Sequence, residues 1–308
     1  MPGVIGFGAL NMDKIMFVDK IPAPDEEAYV ISVESHPGGS APNTIAGLSR
    51  LGLRTGLIGN LGRDSEGKEM LGNLEGEGVE TDAVVISSGR SGTALSMVDP
   101  DGLRSLVIDP GVNDEIPIRD IDVSYVNGFD LLHLTSFICR STDLSFRTQL
   151  ELAEISDVPL SLDPGQLYAE RDLEQLEPII RRCRVVMPNQ NELGMMTKLG
   201  PREGARRLIE IGSSVVVVKM GMKGCYVTDG EQDHHVPIYG GRGVDSTGAG
   251  DAFNAGFIYG LLNDLSLAEA AEIGTKVAWF SVQKPGARDG LPTLKELESG
   301  GCAGETRR

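Results

Sequence analysis

The sequence predicts an α/β fold in which a mostly parallel sheet lies between two layers of helices, with a small antiparallel β lid attached. Short, continuous apolar runs recur along the chain, which is typical of strands covered on both faces. Amphipathic stretches separate these runs, and such an alternation of strand and helix indicates a parallel sheet. Two further segments alternate in polarity or flank a tight turn, which favours antiparallel strands outside the parallel core.

Six apolar runs predict the core strands. They are short and contain no Asp, Glu, Lys or Arg, so each fits a strand buried between helices. In chain order they are Val4–Phe7, Gly56–Leu61, Leu131–Leu134, Leu160–Leu162, Val185–Met187 and Ser214–Val218. All are much shorter than the ~20 apolar residues that a membrane-spanning helix needs.

Two of the intervening stretches carry clear helix signals. Apolar residues recur at helical spacing through Thr142–Ile155, after hydroxyl residues that could cap the helix. The sequence Ser266–Glu269 has the capping-box pattern and predicts a helix that runs to about Val282.

Two segments outside the alternation of strands and helices predict the lid. Residues Tyr29–Glu34 alternate in polarity, and Thr93–Val98 and Leu103–Ile108 flank Asp99–Gly102, a strong turn sequence. We expect the two segments to pair with each other. Their exposed edges could pair with a second lid, so a homodimer through the lid is also expected.

The length of 308 residues fits one α/β domain with insertions. We expect this domain to cover residues 1–298, with lid insertions at about 13–36 and 93–110. Residues 299–308 show no periodicity and predict a flexible tail.

Composition excludes several classes of partner. The chain has 28 Lys+Arg against 45 Asp+Glu, a net charge of −17, without a basic run. Such a chain repels nucleic acids and anionic membranes, so neither is expected as a partner. The N terminus lacks the features of a secretory signal, which predicts a cytoplasmic protein.

Glycine accounts for 40 of the 308 residues, and this share is nearly double the average of about 7%. The excess suggests turns in which the backbone approaches phosphate groups.

The most informative stretch is Val244–Phe257, in which small residues lead directly into an apolar helix. The small side chains of Gly248, Ala249 and Gly250 would leave the backbone N–H groups at the start of this helix accessible. Such N–H groups, which have no acceptor within the helix, can bind an anion. Asp251 is unfavourable beside an anion unless it accepts a proton from a hydroxyl that attacks a phosphate. An ordinary helix start with an N-terminal acid is the alternative.

A second glycine turn opens a helix at Pro37–Leu48. Gly38 and Gly39 permit a ligand to approach the backbone closely, and Asn43 could hydrogen-bond the hydroxyl groups of a sugar. By itself, a pair of glycines before a helix is more often structural.

Together, these two stretches resemble the two signatures of the pfkB (ribokinase-like) carbohydrate kinase family, in the same order. Further similarity extends over nearly the whole chain. Gly8–Asp13 resembles the family's substrate-binding first strand, Asn189–Glu192 its NxxE motif and Lys219–Gly224 its nucleotide loop. The resemblance implies a ribokinase-like three-layer α/β/α core with a small β lid.

The resemblance also implies an ATP-dependent transfer of the γ-phosphoryl group to a hydroxymethyl group. Asp251 would be the general base, with the anion hole formed by Gly248, Ala249 and Gly250. The acceptor would contact Asn11, Asp13, Gly38, Gly39 and Asn43. The nucleotide would contact Asn189, Lys219, Gly221, Gly224 and Thr275.

Two ions are implied by the same resemblance. Glu192 would bind Mg²⁺ through water, as suits an ion that retains its hydration shell. Family members often bind K⁺ beside the anion hole, mostly through backbone carbonyls. The matching positions are Asp245, Thr247, Ser281, Lys284, Gly286 and Gly290.

Three alternatives remain open. Gly6–Asn11 begins like the dinucleotide fingerprint of a dehydrogenase, but Asn11 replaces its third glycine and no helix is expected to follow. Gly62–Glu69 resembles a P-loop, but Glu69 replaces the Ser/Thr that reaches Mg²⁺, so we interpret it as a loop and helix start. A non-catalytic sugar or nucleotide sensor on the same fold is the third, and the presence of Asp251 favours a kinase instead.

The acceptor is less well determined than the reaction. Ser40 and Thr135 stand where ribokinases usually have a lysine and a glutamate, which disfavours ribose. Ser40 and Asn43 after paired glycines, and Asp163–Gln166 after a strand, look more like adenosine-type and archaeal nucleoside kinases. A nucleoside is therefore favoured, with a plain sugar or ribose 1-phosphate as the alternative.

These acceptors make different demands on the site. A nucleoside needs an apolar or aromatic surface for its base, for which Phe137, Tyr29 and Met97 are candidates. A phosphorylated sugar needs a cation, for which Arg104 on the lid hairpin is the candidate.

Overall fold

The computed structural model describes residues 1–300, which contain thirteen strands and eleven α-helices. The strands are β1 (Gly3–Phe7), β2 (Asn11–Val18), β3 (Val30–Gly38), β4 (Arg54–Gly62), β5 (Val84–Ser87), β6 (Gly92–Val98), β7 (Arg104–Asp109), β8 (Leu131–Thr135), β9 (Leu160–Asp163), β10 (Cys183–Val186), β11 (Val216–Lys219), β12 (Cys225–Thr228) and β13 (Asp233–Val236). The helices are α1 (Ser40–Arg50), α2 (Ser65–Gly76), α3 (Val123–Val126), α4 (Leu144–Ile155), α5 (Gly165–Ala169), α6 (Leu173–Ile180), α7 (Gln190–Thr197), α8 (Pro201–Ile211), α9 (Ala249–Leu262), α10 (Leu267–Ser281) and α11 (Leu294–Glu298).

The larger sheet has nine strands in the order β13-β12-β11-β10-β9-β8-β1-β4-β5. Neighbouring strands from β11 to β5 are parallel, and β12 and β13 extend the sheet in antiparallel fashion. Thr135, Asp163 and Lys219 are the last residues of β8, β9 and β11. The carboxyl ends of parallel strands meet at one edge, which is where open α/β sheets bind ligands.

The larger sheet is buried on both faces, as the continuous apolar runs predict. Successive residues of a strand point to opposite faces, and Val4 and Ile5 accordingly belong to different core clusters, as do Val216 and Val217. One cluster includes side chains from α4, α6, α7 and α8, and the other includes side chains from α1, α2, α9 and α10. The predicted three-layer core is therefore confirmed.

The lid is a separate four-stranded sheet in the order β3-β2-β6-β7. Its two hairpins, β2 with β3 and β6 with β7, are antiparallel as predicted, and they join through a parallel pairing of β2 with β6. This parallel pairing arises because β2 follows β1 and β6 follows β5 after short turns. Both strands thus leave the carboxyl edge of the larger sheet in the same direction.

Local signals explain where several helices begin. Ser266 caps α10 through a reciprocal bond with Glu269, as the sequence predicts. Helix α4 begins at Leu144 rather than at Thr142, because the Thr142 hydroxyl accepts the Leu144 N–H (3.2 Å) in a turn that precedes the helix.

The two competing nucleotide motifs do not form binding loops. β1 is followed directly by β2 rather than by a helix, which excludes the dinucleotide fingerprint. Asp64 caps α2 by accepting the Gly67 N–H (2.8 Å), so the P-loop-like segment is a loop and helix start, as predicted.

Within residues 1–300, no helix is both long and apolar enough to cross a membrane. The predicted tail lies mostly outside the described residues, since only Ser299 and Gly300 of it are included.

Candidate active site

Helix α9 begins beside a cavity at the carboxyl edge of the larger sheet. Gly248 is the N-cap residue, and Asp251 lies in the first turn. The Ala249 N–H donates to the Ser246 carbonyl (3.2 Å), which leaves the N–H groups of Gly250 and Asp251 as first-turn donors without an intrahelical acceptor. Free donors of this kind and the helix dipole are the features by which helix N-termini bind anions, as the sequence predicts for this helix start.

Gly248 is required at this position for two reasons. Its φ of 72° is unfavourable for residues with a side chain. A Cβ atom would also lie 2.6 Å from the Ala287 Cβ. Any larger residue would therefore separate the loop before α9 from the loop after α10.

The acceptor cavity, of about 250 Å³, lies between the lid and the start of α9. Most of the predicted acceptor contacts line it, namely Asn11, Asp13, Gly39 and Asn43, together with Asp251. Gly38 is the predicted contact that does not line the cavity. It packs against Asp13, and a Cβ atom on Gly38 would lie 2.1 Å from the Asp13 carboxylate. Further lining residues, beyond the predicted acceptor contacts, are Asn113, Asp114, Thr135, Ser136, Leu106, Ile108, Ile138 and Leu167.

Three carboxyl groups at this cavity, those of Asp251, Asp13 and Asp114, have raised pKa values, and burial is the main cause in each. Burial raises the pKa of Asp251 to about 7, although the hydrogen bond from Asn43 Nδ2 (2.9 Å) favours the ionised form. Burial also raises the pKa of Asp13 to about 6, against the nearby positive charges of Arg288 and Arg104. A carboxyl group with a pKa near neutrality suits a general base.

A second cavity, of about 450 Å³, adjoins the same helix start. Several predicted nucleotide contacts line it, namely Lys219, Gly221, Gly224 and Thr275. Ala249 and Gly250 also line it, whereas Gly248 and Asp251 line the acceptor cavity. The start of α9 thus separates the two cavities.

A buried ion pair lies below this helix start. Lys219 Nζ donates to Asp163 Oδ2 (2.6 Å) and to Asn254 Oδ1 (3.2 Å). Although burial opposes both charges, each partner stabilises the other, so the pKa of Lys219 is raised and that of Asp163 is lowered. A Cβ on Gly250 would be 3.5 Å from Lys219 Nζ, so the ammonium lies directly beneath the predicted anion hole.

The NxxE motif forms the start of α7. Asn189 Oδ1 accepts the N–H groups of Asn191 and Glu192, and the Glu192 carboxylate accepts the Asn189 N–H (2.7 Å). A parallel bridge between Asn189 and Lys219 places the motif next to the buried ion pair. Burial raises the pKa of Glu192, and the Asp163 carboxylate adds to this rise.

The predicted potassium positions lie in two adjoining loops and, for Ser281, at the end of α10. Asp245 holds the two loops together, because its Oδ1 accepts from Thr247 and its Oδ2 accepts the Gly286 N–H (2.9 Å). Gly290 packs against the Ser281 carbonyl, which a Cβ would approach to 2.3 Å. The remaining position, Lys284, is exposed. Within residues 1–300, no cluster of three or more His, Cys, Asp or Glu residues could hold a metal ion.

Sequence reasoning assigned no role in the site to three polar residues of this region. Asp163 and Asn254 have a detectable signal, because Asp163 ends a buried strand and Asn254 follows Asp251 by one helical turn. Arg288 has none, since it lies in a loop without periodicity, yet only 6% of it is exposed.

The three residues suggested as contacts for a nucleoside base do not line the acceptor cavity. Phe137 is buried in the core against Phe7, with ring centroids 5.4 Å apart. Tyr29 is 70% exposed before β3, and Met97 lies on β6 away from the cavity lining. Arg104, the candidate for a phosphorylated acceptor, does line the cavity.

Comparison with known proteins identifies the family. Residues 1–294 match the pfkB family of carbohydrate kinases. The chain is 45% identical to an uncharacterized sugar kinase of Archaeoglobus fulgidus, covering 80% of this chain and 98% of the relative. It is 30% identical to an ATP-dependent ribose-1-phosphate kinase of Halopiger xanaduensis, covering 94% of each protein.

Solved structures show the same fold. Ribokinase from Thermotoga maritima has a TM-score of 0.87 and 26% identity, covering 97% of this chain and 99% of the other. The nucleoside kinase of Methanocaldococcus jannaschii has a TM-score of 0.82 and 21% identity, covering 97% and 98%. With a match over nearly its full length, the chain belongs to the pfkB family of carbohydrate kinases, which are phosphotransferases with an alcohol acceptor.

Proposed function

We propose that this kinase transfers the γ-phosphoryl group of ATP to the hydroxymethyl group of a small sugar. The position of Asp251 carries this proposal. Its carboxylate lines the acceptor cavity, and the adjacent Ala249 and Gly250 line the second cavity. A hydroxyl beside Asp251 would therefore face a phosphate bound at the start of α9.

Each group at this helix start has a chemical task in the proposed reaction. Asp251 accepts the proton of the attacking hydroxyl, as its raised pKa permits at neutral pH. The N–H groups of Gly250 and Asp251 and the ammonium of Lys219 stabilise negative charge on the transferred phosphoryl group. The lid covers the acceptor and excludes water, which would otherwise compete as the acceptor.

Two cations fit the residues around these cavities. Glu192 lies next to the buried Lys219 and retains acceptor capacity beyond its bond to the Asn189 N–H. It would hold a water of Mg²⁺, which neutralises charge on the ATP phosphates when bound. Asp245 would face K⁺ through Oδ2, which accepts one hydrogen bond and keeps a second lone pair, and the two loops that it joins would supply carbonyl groups.

The lining of the acceptor cavity favours a sugar over a nucleoside. Asn11, Asp13, Asn43 and Asn113 offer donors and acceptors for several hydroxyl groups. Among the described residues, no aromatic side chain lines this cavity, so a base would have no ring on which to stack. The similar sugar kinases also share more identity with this chain than the nucleoside kinase, whose 21% identity shows the fold alone.

A phosphorylated sugar is the second candidate, because Arg104 lines the cavity. Its Nε donates to Ser96 Oγ (3.0 Å), which leaves its other donors for a ligand. A guanidinium binds phosphate through paired hydrogen bonds. The similarity to a ribose-1-phosphate kinase supports this candidate.

The test is a screen of ATP consumption with pentoses, hexoses, ribose 1-phosphate and nucleosides, in Mg²⁺ and K⁺ salts. Asp251→Asn serves as the control for background hydrolysis. Turnover of a sugar supports the proposal, whereas a preference for any nucleoside over every sugar contradicts it. No turnover of any acceptor, with ATP binding retained, would indicate the non-catalytic sensor.

Arg104→Gln separates the two sugar candidates. A charge-assisted bond contributes about 1.5–3 kcal/mol, so KM for ribose 1-phosphate should rise by about 10-fold to 100-fold. KM for a free sugar should change little, because the hydroxyl contacts remain. An equal rise in KM for both substrates would contradict a role of Arg104 in binding the acceptor phosphate.

A further inference from the structure

Arg288 is a buried cation next to the acceptor cavity, although it lines neither cavity. Its Nε donates to Asn43 Oδ1 (2.8 Å), and its Nη1 donates to Asn73 Oδ1 (2.5 Å) on α2. Within residues 1–300, it forms no ion pair with a carboxylate at 4 Å or less. A buried charge without a direct counter-ion is costly, so a role in the site would explain its presence.

The contact with Asn43 determines the orientation of an amide in the active site. The two ends of an asparagine amide have nearly the same shape but opposite hydrogen-bonding character. Because Oδ1 of Asn43 faces Arg288, its Nδ2 faces Asp251 and donates to Oδ2 (2.9 Å). The reversed amide would place a carbonyl oxygen against a carboxylate and an NH₂ group against a guanidinium.

We propose that Arg288 is a positioning residue for phosphoryl transfer, which holds the Asn43 amide toward Asp251 and supplies positive charge beneath the acceptor-binding carboxylates. This inference rests on the proposed function, since it assigns the base to Asp251. Arg288 acts through Asn43 and through its electric field, without contact with the substrate. Its backbone is held in turn by Arg50, whose Nη1 donates to the Arg288 carbonyl (2.8 Å).

Charged groups face Asp251 from several elements. Asp13 on β2 and Asp163 at the end of β9 disfavour its ionised form, whereas Lys219 at the end of β11 and Arg288 after α10 favour it. Burial lowers the pKa of Arg288 to about 10, so it remains charged at neutral pH. Loss of this charge should raise the pKa of Asp251 above 7 and leave less of the base ionised at neutral pH.

The test compares Arg288→Met and Arg288→Lys with wild type between pH 6 and 9. We expect Arg288→Met to lose about 10-fold to 100-fold in kcat at pH 7, the range typical of groups that orient a functional residue. Part of this loss should recover at pH 9, where Asp251 is ionised again. Arg288→Lys keeps the charge and should keep the wild-type pH profile, with a smaller loss of kcat. ATP affinity should stay within about twofold, since Arg288 does not line the second cavity.

Asn73→Ala is the matched control, because it removes the other partner of Arg288 without touching Asn43. We expect a smaller loss of kcat than in Arg288→Met and a wild-type pH profile, because the charge of Arg288 and its bond to Asn43 remain. If Arg288→Met lost the same factor at all pH values, or if Asn73→Ala reproduced its pH dependence, the role of Arg288 would be structural only. Thermal unfolding identifies a variant that fails to fold, and Arg288→Lys then provides the test.

Titration of the Asp251 carboxyl group separates this inference from the proposed function. Carboxyl-¹³C-aspartate NMR follows this group without turnover, and Asp251→Asn identifies its signal. A higher pKa of Asp251 in Arg288→Met supports the inference even if the screen finds no acceptor. An unchanged pKa of Asp251 in a folded, active variant contradicts the inference and leaves the proposed function intact.

Discussion

At the scale of single residues, the site divides its acidic groups by environment. Asp251 lies at the start of α9 and has a pKa near 7, whereas Asp163 pairs with Lys219 and has a lowered pKa. Pairs of acids whose pKa values are separated by their surroundings commonly have different roles in one reaction. We infer that Asp251 is the group that exchanges a proton, and that Asp163 remains ionised to hold the Lys219 ammonium in place.

Asp251→Asn should abolish most turnover and leave ATP binding largely intact. A positioned general base contributes about 10²-fold to 10⁴-fold, so kcat should fall by that factor, toward the lower end if proton transfer occurs late. Asp264→Asn, in an exposed position after the same helix, is the control and should have wild-type kcat. If a folded Asp251→Asn retained more than about a tenth of kcat, Asp13 would be the next candidate base.

The same variant should be more stable than wild type at high pH. The pKa of Asp251 is raised from 3.8 to about 7 in the folded state, so its ionisation opposes folding. This destabilisation begins above pH 4 and is complete above pH 7, and a neutral asparagine avoids it. Thermal unfolding should therefore show a larger gain in Tm for Asp251→Asn at pH 8 than at pH 5. If Asp251→Asn and wild type had the same Tm at pH 8, ionisation of Asp251 would not oppose folding.

Asp163→Asn should destabilise the protein and weaken ATP binding. Removal of one partner from a buried ion pair leaves an uncompensated charge, which costs about 3–5 kcal/mol, and Lys219 would no longer be held beneath the anion hole. Urea unfolding and calorimetric titration with ATP measure the two effects. Glu26→Gln, in the exposed pair with Lys20, is the control and should change stability by less than about 1 kcal/mol. Unchanged ATP affinity in Asp163→Asn would exclude a role of the ion pair in phosphate binding.

At the scale of helices, strands and loops, the sequence predicts what depends on local pattern. The capping box at Ser266, the six core strands and the helix that begins after Gly248 are all local signals, and the structure contains each of them. The parallel pairing of the two lid hairpins and the contact between Arg288 and Asn43 join distant segments. No periodicity or spacing in one sequence encodes such contacts, so they were accessible only from the structure.

K⁺ should raise kcat through the loops that Asp245 joins. An ion behind the start of α9 would stabilise the anion hole without contact with the substrate, and the two loops already lie together at Asp245 and Gly286. Assays in potassium and sodium salts at equal ionic strength should show higher kcat with K⁺. Lys284→Met removes a competing charge and should increase the apparent affinity for K⁺. Identical rates in both salts would mean that Asp245 alone maintains the loop geometry.

The lid should close over the acceptor. It is connected to the core through short turns, and Asn113 links it by donating to Asn11 Oδ1 (2.9 Å) and to the Leu10 carbonyl (2.9 Å). Hydrogen exchange should show slower exchange in β2, β3, β6 and β7 when acceptor and ATP are bound. The buried strand β8 is the internal control, since its exchange should not change. Equal exchange of the lid strands with and without ligands would contradict closure.

At the scale of the whole molecule, the lid combines two surfaces with different tasks. On β7, Leu106 and Ile108 line the acceptor cavity, whereas Val107 between them points to the opposite face and is 57% exposed. The edge strand β3 also exposes Ile31 and Val33. Long, apolar edge strands rarely remain unpaired in soluble proteins, so the lid has surface available for a second copy of the chain.

We therefore expect a homodimer in which two lids associate around a twofold axis. Light scattering after gel filtration should give twice the mass of the chain, and Ile31→Glu with Val33→Glu should give the monomer, because two charges would be buried without partners. Ile155→Glu changes an equally aliphatic side chain, 47% exposed at the end of α4 and remote from the lid, and should leave the dimer intact. A monomeric wild type, or dissociation by Ile155→Glu as well, would contradict assembly through the lid. Leu106 and Ile108 line the acceptor cavity from β7 of the same sheet. If assembly supports closure of the site, the KM for the acceptor should therefore rise more than the KM for ATP in the monomeric variant.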